Sequence, residues 1–219
     1  TRTLAAPGAD VRRFRFAFAS CQRWEHGYYA AWRHLCAEQP DAIVFLGDYI
    51  NKGKDSKAVL SRLISLAKSG SVTLLRGNHE TALLKAIDHR DLSGLTKMGG
   101  APTIRAYLGG DAGPDVAREF IGAVPREHVE AIRSMPDQFR TTRVLAQHEP
   151  IKARQNFFRR RFVVTAHRPV GALPRVGARR AEIDTGCGDT DGRLTAFLWP
   201  ARRIVQVDST GQQLVAKLA

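Results

Sequence analysis

Apolar residues in this chain recur in two patterns. The stretches Asp41 to Phe45 (Asp-Ala-Ile-Val-Phe) and Val72 to Leu75 (Val-Thr-Leu-Leu) are short apolar runs of the kind that strands buried on both faces show. Between them, Lys57 to Ser69 places Leu60, Leu63, Ile64 and Ala67 at the i, i+3, i+4, i+7 spacing of a helix packed on one side. Strand, helix and strand of these lengths predict a parallel crossover unit. Near the start, Phe14, Phe16 and Phe18 alternate with Arg15 and Ala17, as in a strand with one apolar face. A helix from about Gly27 to Gln39 should follow, closed by Pro40. Helical spacing returns over Thr81 to Ile87, Asp115 to Val124 and Arg126 to Met135, the last two reading as a side layer or lid. The glycine-rich stretch Ser93 to Gly113 reads mostly as loop, with a helical turn or two around Thr103 to Leu108. Arg143 to Ala146 and Phe162 to Thr165 read as strands. Glu182 to Asp184, Leu194 to Leu198 and Arg203 to Asp208 read as a meander.

Each of the two central runs delivers polar residues where it stops. The first leads into Gly47-Asp48, the second into Arg76-Gly77-Asn78-His79-Glu80. In a parallel sheet, ligands gather outside the carboxyl ends of the strands, so Asp48 and Asn78 should face one crevice. A carboxylate, an amide oxygen and an imidazole there suit a metal, and the Arg76 guanidinium suits phosphate. Two later strands stop near His148 and His167. A strand-end histidine also has structural uses, so either could be a ligand or a satisfied loop residue.

FLGDYINKGKDS followed by LLRGNHE resembles the calcineurin-like metallophosphoesterases. The likeness is nearest to the bacterial serine/threonine protein phosphatases and continues through GGAPTIRAYLG, VVTAHRPVG and IDTGCGDTDGRLTAFLWP, covering roughly residues 40 to 207. The first strand is different. FAFASCQRWEHG resembles the PhoD-like alkaline phosphatases, whose strand ends in Ser-Cys-Gln with the cysteine on iron. The resemblance implies an α/β fold: a metallophosphoesterase sandwich of two mixed β-sheets flanked by helices. It implies hydrolysis of a phosphoric ester at two metal ions (Mn, Fe or Zn). Asp48 would bridge them, with Asn78, His167 and His148 on one. Cys21, with His26, would be on the other. His79 would protonate the leaving alkoxide, while Arg76 and Lys52 would hold the phosphate. A phosphoprotein comes first among the implied substrates, ahead of dinucleotide polyphosphates and small monoesters.

The chain departs from the protein phosphatases at several points. Asn51-Lys52-Gly53 stands where they have Asp-Arg-Gly, and Lys52 offers no bidentate fork. Cys21 is either a thiolate ligand or a small buried hydrophobe. His148 and His167 are 19 positions apart, far closer than the family's pair. These departures define a rival reading, a phosphatase fold that binds phosphorylated or nucleic-acid partners without turning them over.

Length and charge adjust the picture modestly. A chain of 219 residues with 43% hydrophobic content reads as one domain with ample core, 1–10 forming a loose tail. No run approaches the ~20 apolar residues of a membrane span, and Thr1 to Asp10 shows no export signal, which predicts a cytoplasmic protein. The net charge of +13 is carried largely by arginine pairs and triplets. Few aromatics interleave with them, so a nucleic-acid partner is not favoured. The three cysteines have no zinc spacing, and Cys187, in a Gly-Asp-rich turn, reads as structural.

The Cys21 alternatives separate cleanly by metal content and thermal midpoint. As a ligand, Cys21→Ser should empty one metal site and leave the Asn78/His167 site filled, and Cys21→Asp should shift preference toward Mn. Unchanged metal content with a collapsed midpoint in Cys21→Asp would refute the ligand role, because it marks a lone charge forced into the core.

Overall fold

The computed structural model of the chain describes residues 15–19, 34–35, 37–110, 113–150, 161–187, 191–208 and 210–214. Two mixed sheets face each other, with helices on the outer face of the first. The first sheet contains β1 (Phe16–Ala19), β2 (Ala42–Phe45), β3 (Val72–Leu74), β9 (Leu194–Trp199), β10 (Arg203–Val207) and β11 (Gln213–Leu214), in the order β11-β10-β9-β1-β2-β3. The second contains β4 (Gln138–Arg140), β5 (Val144–Gln147), β6 (Phe162–Thr165), β7 (Arg175–Val176) and β8 (Arg180–Glu182), in the order β4-β5-β6-β8-β7. The expected sandwich is present.

The helices are α1 (Ser56–Ala67), α2 (Asn78–His89), α3 (Ser93–Lys97), α4 (Ala101–Leu108), α5 (Val116–Ala123) and α6 (Arg126–Ser134). Helix α1 carries the chain from β2 to β3, and those strands pair in parallel with Phe45 opposite Leu74. That register brings the two polar strand ends level. Alternation along the strands then builds two cores. Phe18, Val44, Leu75, Val164 and Phe197 lie between the sheets. Ala17, Ala19, Phe45 and Leu74 point the other way, toward Leu60, Leu83, Phe120 and Ile132 of the helices.

Two expectations change. Ser93 to Gly113 is largely helical, not loop: α3 and α4 lie within it. Pro102 sits in the first turn of α4, where proline costs nothing, and Gly109 ends it in the left-handed conformation (φ 72°). The glycines that suggested a loop are caps and joints between two short helices. The meander is also split. Arg180 to Glu182 pairs in parallel with β6 in the second sheet, whereas β9 and β10 form an antiparallel pair in the first. Helices α5 and α6 form a side layer, with Phe120 and Ile132 fully buried. The expected helix before Pro40 falls mostly on residues outside those described. No helix among the described residues is long and apolar enough to cross a membrane.

In this layer His128 is buried, its Nδ1 2.7 Å from Tyr107 Oη and its Nε2 3.0 Å from Ser61 Oγ. Burial lowers its pKa below the ordinary 6.5, against the opposite pull of Glu127. Below about pH 6.5 the unfolded chain therefore binds the extra proton and the folded one resists it. The stability from neutral His128 is full above that pH and is lost as pH falls toward the folded value. Urea unfolding at about pH 7.5 and about pH 5.5 should show a smaller acid loss for His128→Gln than for the wild-type chain. Equal losses would remove His128 from the account.

Candidate metal centre

The Gly-Asp and Gly-Asn-His-Glu turns touch through their glycines. A β-carbon on Gly47 would lie 2.6 Å from Gly77 N, and one on Gly77 would lie 2.6 Å from Asp48 N. Gly47 also has φ 101°, which a side chain would resist. Glu80 clamps the two turns together. Fully buried, it accepts from Asp48 N (2.8 Å) and Gly77 N (2.9 Å) at Oε2 and from Tyr49 N (2.7 Å) at Oε1. Burial and the neighbouring Asp48 charge push its pKa up to about 7, against the pull of those three N–H groups. Tyr49 adds a second tie, its hydroxyl 2.8 Å from Leu75 O and 3.1 Å from Phe45 O.

The second sheet supplies the imidazoles. His148 follows β5, and its Nδ1 donates to Leu46 O at 2.8 Å across the sandwich. In a neutral ring this leaves the Nε2 lone pair pointing inward. It lies 2.8 Å from Asn78 Oδ1, 3.0 Å from His167 Nδ1 and 3.2 Å from Asp48 Oδ2. His167 follows β6 and brings Nδ1 within 3.0 Å of Asn78 Oδ1. Donor atoms of Asp48, His148 and His167 all lie within 4.8 Å of one another. Turning the Asn78 amide round would let its nitrogen donate to both histidines and to Asp48. The surroundings of Asn78 Oδ1 are thus all acceptors, which is what a cation needs.

Charge follows the same logic. Burial raises the Asp48 pKa, but His148 and His79 outweigh it and hold the carboxylate below its ordinary value. Burial opposes a charge on His148, yet the Asp48 carboxylate and the Leu46 carbonyl prevail and raise its pKa. The cluster attracts positive charge. An amide oxygen, a carboxylate and two imidazoles suit Mn, Fe or Zn better than Mg, so the residues fit the metal that the fold implies. Asp48 (φ 61°), Asn51 (φ 85°) and His167 (φ 74°) occupy the left-handed region, a strain that tends to collect at functional positions.

His79 opens α2 beside this cluster. Its Nε2 is 3.8 Å from Asp48 Oδ2 and its Nδ1 is 2.6 Å from Asn51 Nδ2. Burial lowers its pKa, with Asp48 opposing. Lys52, Asn78, His79, His167, Asp184 and Cys187 line one small cleft with Asp48. Arg76 is elsewhere. Its guanidinium grips Asp137 at 2.8 Å and lines a larger cleft of about 740 Å³, which it shares with Asn78 and His148. The structure therefore groups Asp48, Asn78, His79, His148, His167 and Lys52, and puts Arg76 in a second cleft that Asn78 and His148 also line. Cys21 and His26 lie outside the described residues. Sequence reasoning overlooked Glu80, Thr103, Asp184 and the cleft position of Cys187. Only the glycine-rich turn at 186–188 hinted at the last two.

Comparison with known proteins bears on the fold and the first part of the chain. Residues 16–85 match the family described as PhoD-like phosphatase. Alkaline phosphatase D of Bacillus subtilis (strain 168) is 58% identical over 50 residues, which are 23% of this chain and 9% of that protein. The match thus spans about a tenth of the relative's length. Among solved structures, a protein described as a candidate diadenosine tetraphosphatase superposes with TM-score 0.60 at 17% identity, covering 89% of this chain and 93% of that one. A protein serine/threonine phosphatase from Saccharomyces cerevisiae superposes with TM-score 0.53 at 12% identity, covering 94% and 81%. The fold is shared with these phosphatases, and residues 16–85 carry the PhoD-like pattern.

The clamp can be tested apart from chemistry. Glu80→Gln keeps the shape but turns an amide N–H toward a backbone N–H. A urea titration should show a loss of about 1–3 kcal/mol, the usual cost of a buried group left unsatisfied. A variant as stable as the parent would show that Glu80 does not hold the turns.

Proposed function

We propose that this chain is a metal-dependent phosphoric ester hydrolase. The carrying observation is the convergence of Asp48, Asn78, His148 and His167 on one point, their acceptor atoms about 3 Å apart, with nothing but acceptors around Asn78 Oδ1. A divalent ion held by these four residues supplies Lewis-acid charge for the phosphoryl oxygens and acidifies water. The protein does the rest. Asp48 faces both the cluster and the cleft, so it can serve a second ion beside the first. His79 presents Nε2 to the same cleft, where it can meet a phosphoryl or leaving oxygen. Lys52 brings a positive charge to that cleft for the phosphate. Arg76, paired with Asp137 in the neighbouring cleft, would meet a part of the substrate beyond the phosphate.

The candidate substrates differ chemically in their leaving groups. A serine/threonine phosphoprotein releases an alkoxide, which needs a proton. A dinucleotide polyphosphate releases a phosphate, which does not.

Hydrolysis of an aryl phosphate should require added Mn or Fe and should vanish with chelator. Asp48→Asn should lower both metal content and turnover. Activity that survives complete metal removal would sink the mechanism. Purified protein that binds no metal and turns over no ester would support the binding-module reading.

A further inference from the structure

Asn51 is fully buried beside His79, and its amide has a definite orientation. Three polar groups meet there. Thr103 Oγ1 lies 2.8 Å from Asn51 N, 3.1 Å from Asn51 Oδ1 and 2.9 Å from Ser56 Oγ. A hydroxyl has one proton and two lone pairs. Thr103 accepts the Asn51 N–H, accepts the Ser56 O–H and donates to Asn51 Oδ1, so every group is satisfied. Turning the amide round would make Thr103 donate to Ser56 Oγ. The Ser56 proton, 1% exposed, would then have no acceptor among its contacts, at a cost of about 1–3 kcal/mol. Proton counting therefore places the Asn51 oxygen on Thr103 and its nitrogen on His79 Nδ1, at 2.6 Å.

Resting on the hydrolase reading, we infer that Asn51, fixed by Thr103 and Ser56, holds His79 as the Nε2–H tautomer. The ring then gives a hydrogen bond to the leaving oxygen and keeps its proton, so the site favours phosphoanhydrides over alkyl esters such as phosphoserine. The Nδ1 lone pair, already taken by the amide N–H, is not available to a second proton. Giving up the Nε2 proton would leave an imidazolate. Water adds to phosphorus and releases a proton to solvent, the P–O bond to the leaving group breaks with its electron pair on the leaving oxygen, and any proton that oxygen needs comes from solvent. A departing phosphate is stable without one, and an alkoxide is not. This replaces the expected role of His79 as the source of the leaving group's proton. Asn51 and Thr103 act through His79 and are positioning residues.

Long-range nitrogen–proton correlation spectra of protein labelled at histidine nitrogen read the tautomer without metal or substrate. At mildly alkaline pH the signal that disappears in His79→Gln should show a protonated Nε2 and a bare Nδ1. Asn51→Asp offers Nδ1 a carboxylate acceptor and should move the proton to Nδ1. An Nδ1–H ring in the wild-type chain overturns the inference. The second reading is selectivity. Wild-type turnover of an aryl phosphate or a phosphoanhydride should exceed that of phosphoserine, and Asn51→Asp should narrow the gap by about 10²-fold, the lower range of general acid catalysis. A gap that Asn51→Asp leaves unchanged also overturns it. Absence of metal-dependent aryl phosphate hydrolysis would fault the hydrolase reading, while the spectra still decide the tautomer.

Discussion

Everything at this site depends on one buried carboxylate. Glu80 takes three backbone N–H groups from two turns that are far apart in sequence, and it does so where no water competes. Such a group must be satisfied to be buried at all. Because its acceptors leave little tolerance, the turns can sit in only one relation to each other. That relation requires glycine at 47 and 77, since the backbones touch. Asp48 is consequently fixed through its own main-chain N–H, and Asn78 follows directly on the clamped Gly77.

The second sheet completes what the first begins. His148 reaches across the sandwich to Leu46 O, and His167 follows the next parallel strand, whose Thr165 pairs with Gln147. The imidazoles are thus held at the cluster by sheet register. For His148 the bond to Leu46 O decides which nitrogen faces inward, toward a cation. The same principle governs His79, where a side-chain amide, not a carbonyl or carboxylate, sets the ring. A single residue type at position 51 thereby separates two kinds of leaving-group chemistry on one scaffold.

Much of this was legible along the chain. Apolar runs that stop in Gly-Asp and Gly-Asn-His-Glu, with one amphipathic helix between them, can only place those stops at neighbouring strand ends. Composition misled where it stood in for geometry. The glycines of 93–113 suggested loop because their number was visible and their role as helix caps was not. The strand expected at Glu182 to Asp184, found at Arg180 to Glu182, looked continuous with those after it, because alternation does not say which sheet a strand joins.

The sequence by itself determined the parallel unit, the polar strand ends and the chemistry their side chains allow. These depend on local periodicity and residue type. Whether His148 belonged to the site was undecidable along the chain, since 19 intervening positions fit a shortened loop or an unrelated one equally well. Only the tertiary structure decided it, by pairing Gln147 with Thr165 and closing the sandwich. The parting of Arg76 from Lys52, the proton count around Asn51 and the clamp of Glu80 are likewise long-range. Their bonds, Glu80 to Asp48 and Tyr49, Thr103 to Asn51 and Arg76 to Asp137, join residues 31 to 61 positions apart, which no local pattern encodes.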